Sequence, residues 1–326
     1  MAQDTLGRTD MPQIPNTARG ARFIGWGTSL GHRVVTNDDL TSSMDTNDEW
    51  IRERTGIHRR HVGGSTAELS TISGKAALEM AGIDPKSIDA LILATTTPDR
   101  TVPATSATVQ NALGLSCGAF DMNAACSGFV YGMVVAHGLI AVGAERIMVI
   151  GTDTLSRIVD WTDRNTAPLF ADGSGAAIIE STKGHGQLLG WDIDADGSAE
   201  EILYAEVGST IQMNGKEVFR RAVRIMVDSA QKSMAAASVT TEEISIVVPH
   251  QANIRIISAA CDRLGISMDK ASISIHETGN TSSASIPLAL FGDFGQVKPK
   301  DGDIVLLVGF GAGMTAASAI LRWNAQ

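Results

Sequence analysis

Short apolar runs, each bounded by polar or turn residues, alternate along this chain with longer segments rich in Ala, Ser and Val. Runs of this length suit strands that are buried on both faces of a sheet, whereas the longer segments suit helices. The pattern predicts strands over residues 90–95, 120–123, 146–151, 175–179, 244–248 and 303–308, with helices over 105–113 and 127–142. We therefore expect an α/β protein.

The second half of the chain repeats the pattern of the first. Residues 244–248 correspond to 90–95, and residues 303–308 correspond to 146–150. An Ala/Ser-rich helix lies between the two strands of each half, opened by Cys126 in the first half and by Thr281 in the second. The offset of roughly 155 residues is too long for a solenoid repeat and fits a duplicated α/β unit.

The duplication divides the chain into three parts. Residues 1–20 are polar and Pro-containing and predict a disordered tail. Residues 21–180 form the first α/β half and carry Cys126, and residues 181–326 form the second half and carry a His and an Asn of interest. Two sheets sandwiched by helices would bring the two internal helix N-termini to one central site.

Cys126 follows an apolar segment and begins a helical one, within Asn-Ala-Ala-Cys-Ser-Gly at residues 123–128. The positive end of a helix dipole stabilises thiolate, so we expect a lowered pKa, and the small neighbours leave room for a substrate. A free cysteine more often only packs in a core, which is the interpretation we give to Cys117 and Cys261. For Cys126 the context favours a nucleophile.

His250 and Asn280 are the candidate partners of this thiol. His250 follows Pro249 at the end of a predicted strand, and Asn280 lies in a Gly-Asn-Thr turn. Together with Asn253 they would make a pocket rich in hydrogen-bond donors. A metal site is not expected, because no acidic or cysteine partner stands at ligand spacing. The glycine-rich residues 309–313 predict a turn whose amides join that of Cys126 in holding an oxyanion.

Composition and charge exclude other classes. The chain has 326 residues, 44% of them hydrophobic and 19% charged, as in a globular enzyme. Its net charge of −10 argues against general nucleic-acid binding. No run approaches the length of about 18 apolar residues that a membrane span needs, so no membrane partner is expected. Three cysteines in so long a chain are typical of reduced thiols and indicate a cytoplasmic protein.

Over residues 22–323 the sequence resembles β-ketoacyl-acyl-carrier-protein synthase III, the initiating condensing enzyme of bacterial type II fatty-acid synthesis. The combination of matching segments is far more specific than any single motif. The resemblance implies the thiolase fold, a five-layer αβαβα sandwich, and a homodimer. The segments that carry it are Asp48-Glu49-Trp50-Ile51, Arg54-Thr55-Gly56-Ile57, Ala125-Cys126-Ser127-Gly128-Phe129, Phe170-Ala171-Asp172-Gly173, Pro249-His250-Gln251-Ala252-Asn253 and Gly279-Asn280-Thr281-Ser282.

The same resemblance assigns the chemistry. It implies that Cys126 is acylated, that His250 and Asn280 assist decarboxylation of a malonyl group, and that the amides of Cys126 and Ala312 form the oxyanion hole. Neutral donors can hold the enolate that decarboxylation leaves. The substrates would be coenzyme A thioesters and phosphopantetheine-linked malonate, and neither a cofactor nor a metal is expected.

The resemblance alone assigns roles to further residues. Coenzyme A would meet Trp50 and Arg164 at its adenine, Arg54 at its phosphates, and Phe219 and Asn253 along its pantetheine arm. Three basic residues would meet the acidic acyl carrier protein, and Val102 would reach across the dimer to the floor of the primer pocket. The three basic residues are Arg220, Arg255 and Arg263.

The sequence thus predicts decarboxylating Claisen condensation of an acyl-CoA primer with malonyl-acyl carrier protein through an acyl-Cys126 intermediate. A synthase of the same fold that primes a polyketide, or transfers acyl groups in another pathway, is the alternative. A Cys-His-Asn hydrolase is a third possibility, although the order and the flanking residues do not match. The segment 197–214 is shorter than in typical members, so the outer wall of the tunnel is expected to differ.

Overall fold

The computed structural model describes residue 14, residues 19–183 and residues 187–325 of the chain. Thirteen strands and nine helices are defined within these residues. The strands are β1 (Gly20–Leu30), β2 (Arg33–Thr36), β3 (Arg59–Val62), β4 (Ala90–Ala94), β5 (Gly118–Met122), β6 (Arg146–Thr154), β7 (Asp172–Thr182), β8 (Leu188–Ala195), β9 (Leu203–Tyr204), β10 (Gln212–Met213), β11 (Ile246–Pro249), β12 (Ile304–Gly311) and β13 (Thr315–Arg322). The helices are α1 (Asn37–Leu40), α2 (Asp48–Thr55), α3 (Thr66–Ala81), α4 (Thr105–Ala112), α5 (Gly128–Ala141), α6 (Gly215–Ala237), α7 (Ile254–Leu264), α8 (Ile275–Thr278) and α9 (Ser285–Phe291).

Two sheets with matching topology form the framework. The first has the strand order β1-β7-β6-β4-β5, and the second has the order β8-β13-β12-β11 when it is read in the same direction. β4 pairs in parallel with β6, as β11 does with β12, and β7 and β13 pair antiparallel with their neighbours. β4 is thus equivalent to β11 and β6 to β12, which confirms the predicted duplication.

The two sheets are separated by a layer of two helices, α5 and α9. Alternate residues of each buried strand face opposite ways, as the period of two requires. Ile92 of β4 packs with Phe129 of α5 and Ile286 of α9, while Leu91 and Leu93 of the same strand face the outer helices α3 and α4. The second sheet is covered on its outer face by α6 and α7. The result is the predicted five-layer αβαβα sandwich.

The fold includes the last two residues of the predicted disordered tail, because strand pairing and side-chain hydrogen bonds hold them. Gly20 already pairs with Thr182 in the first sheet. The Arg19 guanidinium donates hydrogen bonds to Glu145 and Ser181 and to the carbonyl of Ala144. Both residues therefore belong to the folded body. The rest of the predicted tail, apart from Ile14, lies outside the described residues.

Within the described ranges, none of the helices combines the length and the apolar character needed to cross a membrane.

Candidate active site

Cys126 stands on a sharp strand-to-helix turn. After β5, a single 3-10 turn over Ala125–Ser127 leads directly into α5. Ala125 has a φ of +47°, a conformation that is unfavourable for a residue with a Cβ. The side-chain oxygen of Asn123 supports this turn by accepting a hydrogen bond from the Ala125 amide at 3.1 Å. The turn leaves Cys126 8% exposed, between the two sheets.

The second half of the chain builds the same turn. The Asn280 oxygen Oδ1 accepts a hydrogen bond from the Ser282 amide at 2.9 Å, Ser282 has a φ of +51°, and a 3-10 turn over Ser282–Ala284 leads into α9. By this register Ser283 is the equivalent of Cys126. Thr281 does cap the 3-10 turn, but its predicted correspondence with Cys126 was wrong by two residues, because the sequence alone did not reveal the shared Asn-based turn.

A buried carboxylate ties the second of these turns to the loop after β4. Asp153, at the end of β6, is fully buried. Its Oδ2 accepts hydrogen bonds from the amide and the hydroxyl of Ser283 at 3.0 and 2.7 Å. Its Oδ1 accepts four hydrogen bonds from the loop after β4, whose donors are the hydroxyls of Thr95, Thr96 and Thr97 and the amide of Thr96. A carboxylate with six donors needs no cationic partner.

His250 is fixed on three sides. Its amide donates to the Val308 carbonyl at 2.8 Å, its Nδ1 lies 2.6 Å from the Ser285 hydroxyl, and its ring meets the Phe310 ring edge-on with centroids 5.4 Å apart. The side chain is 1% exposed. Burial lowers the pKa of His250 to about 3, so the imidazole is neutral near pH 7.

The Cys126 thiol is protonated at rest. Burial raises its pKa to about 12, a hydrogen bond from the Ser282 side chain lowers the pKa, and the charge of Asp153 raises it. The prediction of a lowered pKa was therefore wrong. It considered the helix dipole but not the cost of a charge in a site closed to water on most sides. A nucleophilic role for this sulfur would therefore require the thiol to lose its proton during the attack.

Two cavities meet at Cys126. The larger has a volume of about 360 Å³, and the smaller has a volume of about 120 Å³. Both are bounded by Cys126, Phe170 and Leu203. The larger is mainly apolar and is also lined by Leu155, Ile158, Ile211, Ser282 and Ala312. The smaller is also lined by Phe219, His250, Asn253, Asn280 and Phe310.

The structure brings together the residues that were predicted to act on a substrate. His250, Asn280 and Cys126 share the smaller cavity, and Cys126 and Ala312 share the larger one. Gly311 lies directly against the Cys126 amide, since a Cβ built on it would come within 2.6 Å of that nitrogen. Only glycine allows the 309–313 turn to approach the nucleophile so closely.

The residues predicted to meet coenzyme A form one continuous surface. The Arg164 guanidinium carbon lies 4.1 Å from the centroid of the Trp50 ring, and that of Arg54 lies 5.8 Å away. Nδ2 of Asn253 donates to the Arg54 carbonyl at 2.9 Å and so joins α2 to α7. Asn253 and Phe219 then line the smaller cavity that ends at Cys126.

The remaining predicted residues lie on the surface. Arg220, Arg255 and Arg263 are exposed, and Arg255 stacks over Phe219 with its guanidinium carbon 5.6 Å from the ring centroid. Arg220 forms a salt bridge with Glu217 at 2.8 Å. Val102 is 82% exposed and does not line either cavity of its own chain. Its predicted place in the pocket of a second subunit stays a prediction.

Comparison with known proteins shows which family this chain resembles. The family described as 3-oxoacyl-[acyl-carrier-protein (ACP)] synthase III matches residues 120–197, and its C-terminal part matches residues 234–323. A β-ketoacyl-[acyl-carrier-protein] synthase III from Roseiflexus castenholzii is 42% identical over 328 residues, covering 94% of this chain and 99% of the relative. The chain belongs to the β-ketoacyl-[acyl-carrier-protein] synthase III family. It is accordingly an acyl-transferring condensing enzyme.

Solved structures agree with this assignment. The 3-oxoacyl-[acyl-carrier-protein] synthase III from Aquifex aeolicus superposes with a TM-score of 0.91 at 41% identity, covering 93% of this synthase and all of that chain (100%). The priming β-ketosynthase of the R1128 polyketide pathway has a TM-score of 0.87 at 30% identity, covering 96% and 98% of the two chains. The predicted family and fold are confirmed, and a Cys-His-Asn hydrolase is excluded.

Sequence reasoning missed three polar residues of the synthase site. Asp153 and Ser282 change the pKa of the Cys126 thiol, and Ser285 contacts Nδ1 of His250. A signal was present for each: polar Thr-Asp-Thr at the end of a buried strand, and a run of hydroxyl residues at the start of a short helix. In addition, no cluster of three or more His, Cys, Asp or Glu that could hold a metal occurs in the part of the chain that the structure describes.

Proposed function

We propose that this synthase starts fatty-acid synthesis by a decarboxylating Claisen condensation of an acyl-CoA primer with malonyl-acyl carrier protein. The observation that carries the proposal is the placement of one thiol and two neutral side-chain donors around a single cavity, at Cys126, His250 and Asn280. A thiol supplies covalent acyl transfer, and two neutral donors supply a site for an enolate.

In the first step the Cys126 sulfur attacks the carbonyl of the acyl-CoA thioester. The carbonyl oxygen becomes an oxyanion, held by the amides of Cys126 and Ala312. As the Cys126 sulfur bonds to the carbonyl carbon, the thiol proton passes directly to the sulfur of coenzyme A, whose carbon–sulfur bond breaks so that coenzyme A leaves as a thiol. Burial raises the pKa of Cys126 to about 12, so the attack does not begin from a free thiolate.

In the second step malonyl thioester enters beside His250 and Asn280. The bond to its carboxylate breaks, CO₂ leaves, and the electron pair moves onto the thioester as an enolate. Nε2–H of His250 and Nδ2 of Asn280 donate to the enolate oxygen. The enolate carbon attacks the acyl-Cys126 carbonyl, and the bond to Cys126 breaks to give the β-ketoacyl product and a thiolate that is reprotonated.

The hydrogen bonds around Asn280 support this role. Its Oδ1 is occupied by the Ser282 amide, which fixes the orientation of the side-chain amide. Nδ2 has no hydrogen-bond partner among the described residues and lies in the wall of the smaller cavity. Asn280 therefore presents a donor, and not an acceptor, to the substrate.

The coenzyme A moiety is bound along the surface that leads to the smaller cavity. Trp50 and Arg164 hold the adenine, Arg54 meets the phosphates, and Phe219 and Asn253 line the path of the pantetheine arm. The distances between Arg164, Arg54 and the Trp50 ring support this arrangement. Cations over an indole face form a surface on which a base can stack.

Acyl carrier protein docks at the mouth of the same channel. The exposed guanidinium groups of Arg220, Arg255 and Arg263 attract its acidic surface, although the net charge of this synthase is −10. A local basic patch steers an acidic partner even on an acidic protein. The stacking of Arg255 on Phe219, which lines the channel, supports placement at this mouth.

The synthase acts as a homodimer formed through β5. This strand lies at the edge of the first sheet, so its outer hydrogen-bonding groups are free to pair with a second copy. Phe120 in this strand is 40% exposed, and Val102 is 82% exposed. Pairing through β5 would bury Phe120 and leave Val102 free to reach the primer pocket of the partner.

The reaction requires no organic cofactor and no metal, because neutral donors hold the charge that develops. We further infer a cytoplasmic location, which the free thiols Cys117, Cys126 and Cys261 support. Priming of a polyketide is disfavoured. The polyketide-priming structure is 30% identical to this chain, whereas the fatty-acid-type relative from Roseiflexus castenholzii is 42% identical.

Intact-protein mass spectrometry tests the proposal. The wild-type protein is incubated with a panel of acyl-CoAs from acetyl to octanoyl, with Cys126→Ala as the control, and malonyl-acyl carrier protein carrying a labelled carboxylate is then added. We expect one acyl adduct on the wild type, none on the variant, and labelled CO₂ with β-ketoacyl product. An adduct on Cys126→Ala, or loss of the acyl group to water without CO₂ release, would contradict it.

A further inference from the structure

Ser285 lies behind His250, on the side away from the substrate. It is the first residue of α9 and is fully buried. Its Oγ lies 2.6 Å from Nδ1 of His250 and 3.3 Å from the amide nitrogen of Gln251. The Ser285 hydroxyl thus has two neighbours. The Gln251 amide can only donate a hydrogen bond, whereas Nδ1 of His250 donates or accepts according to the tautomer of the ring.

The protons can be placed from these contacts. The Gln251 amide donates to Oγ, which leaves the single hydroxyl proton of Ser285 to be accounted for. Among the described residues, Nδ1 of His250 is the one acceptor with which that hydroxyl forms a hydrogen bond. If Nδ1 carried the proton, the buried hydroxyl proton would have no partner, which is costly. Nδ1 must therefore be bare, and the ring proton must be on Nε2.

The tautomer of His250 decides whether the ring offers the substrate a hydrogen-bond donor or an acceptor. A neutral imidazole has one donor nitrogen and one acceptor nitrogen, and Nε2 has no hydrogen-bond partner among the described residues. With the proton on Nε2, an enolate oxygen meets a donor. With the proton on Nδ1, the enolate oxygen would face the lone pair of Nε2 and be repelled. The edge-on contact with Phe310 holds the plane of the ring but does not choose between the nitrogens.

We propose that Ser285 is a positioning residue that fixes His250 in the Nε2–H tautomer and so makes it a donor to the enolate. This rests on the proposed function for the identity of the ligand. The hydrogen bond to one ring nitrogen of a histidine sets which nitrogen carries the proton. At metal sites, where the same relation is found, loss of such a partner typically costs 10- to 100-fold in metal affinity or activity.

Two measurements test the proposal on the full-length protein. Nitrogen NMR of ¹⁵N-histidine-labelled wild type, with His250 assigned by comparison with His250→Gln, should show a proton on Nε2 and none on Nδ1. In Ser285→Ala the His250 signals should move toward a mixture of tautomers. Condensation should fall about 10- to 100-fold while acylation of Cys126 stays within about twofold.

Ser229→Ala is the matched control. It also removes a buried hydroxyl, one that donates to the Ser318 hydroxyl at 3.0 Å in the second half of the chain. We expect neither the His250 signals nor the rate of condensation to change in this variant.

The outcomes separate the two proposals. A proton on Nδ1 in the wild type overturns the role of Ser285, even if the enzyme condenses as expected and even if Ser285→Ala does not fold. A slower Ser285→Ala variant with an unchanged Nε2–H tautomer also overturns it, since the residue would then only pack. Absence of condensation in the wild type contradicts the proposed function and leaves the tautomer measurement valid.

Discussion

Asn123 and Asn280 make the same hydrogen bond at equivalent points of the two halves. The side-chain oxygen of each accepts from the amide two residues later, Ala125 or Ser282, and in both cases that residue has a positive φ. The two copies of the turn have different roles. In the first half it presents the Cys126 thiol and Asn123 lines the larger cavity, whereas in the second half Asn280 lines the smaller cavity beside His250.

His250→Ala and Asn280→Ala should each abolish most condensation while Cys126 is still acylated by acyl-CoA. Each removes one donor to the enolate, worth about 2–4 kcal/mol or roughly 10²–10³ in rate. Single-turnover acylation by mass spectrometry, measured beside steady-state condensation, separates the two steps. Condensation near the wild-type rate in either variant would rule out the enolate role for that residue.

Acid should destabilise the wild type more than a His250→Gln variant. The pKa of His250 is lowered by burial to about 3 from 6.5, so between these values the unfolded state binds a proton that the folded state does not. Stability is then lost as the pH falls through this window, on the order of 2 kcal/mol between pH 6.5 and 5. Urea unfolding of both proteins across this range measures the difference. If the free energy of unfolding changed equally with pH in both proteins, a neutral, buried His250 would be contradicted.

Arg255→Glu should raise the KM for malonyl-acyl carrier protein about tenfold at low salt and change the KM for acyl-CoA much less, because it reverses charge at a protein–protein contact. The difference should shrink as ionic strength rises. Lys75→Glu, which reverses an exposed charge on α3, is the control and should change neither value. Equal losses with both substrates would place Arg255 in substrate binding or folding instead.

Val102→Phe should shift the primer preference toward acetyl-CoA with acylation of Cys126 intact. A cavity of about 360 Å³ is several times larger than an acetyl group, and at the predicted floor position valine is smaller than an aromatic residue. Each buried methylene adds about 0.8 kcal/mol, or roughly fourfold in affinity, so two or three more carbons favour a longer primer by more than tenfold. Competition between acyl-CoAs, read by mass spectrometry, measures the profile. A profile unchanged by the substitution would exclude Val102 from the pocket.

The fold was predictable because its strands are buried on both faces. Apolar runs such as residues 90–95 and 146–151 are recognisable from composition alone, and their recurrence in the second half indicates duplication. The observed ends of the strands differ from the predicted ends by one to a few residues. For example, β6 continues beyond residue 151 through the polar residues Thr152, Asp153 and Thr154. Those three are buried against other polar groups, which an apolar pattern cannot reveal.

The sequence could predict that the candidate site residues converge, but it could not predict the electrostatics of the site. Cys126, His250 and Asn280 were found from local context and resemblance, whereas the thiol pKa was assigned the wrong direction. A helix N-terminus is visible in sequence, but the degree of burial depends on residues far away in the chain. Ser285 and Asp153 were missed for the same reason, because their partners are 35 and 130 residues away.

Because both cavities meet at the Cys126 sulfur, the structure also predicts the order in which substrates bind and products leave. In the proposed function the primer chain occupies the larger cavity, and both substrates bring their thioester ends to Cys126 through the smaller cavity, which Phe219 and Asn253 line. Free coenzyme A must leave by this route before the malonyl arm can enter. Initial rates measured against both substrates should therefore give parallel double-reciprocal lines, with coenzyme A competing against malonyl-acyl carrier protein for the acylated enzyme.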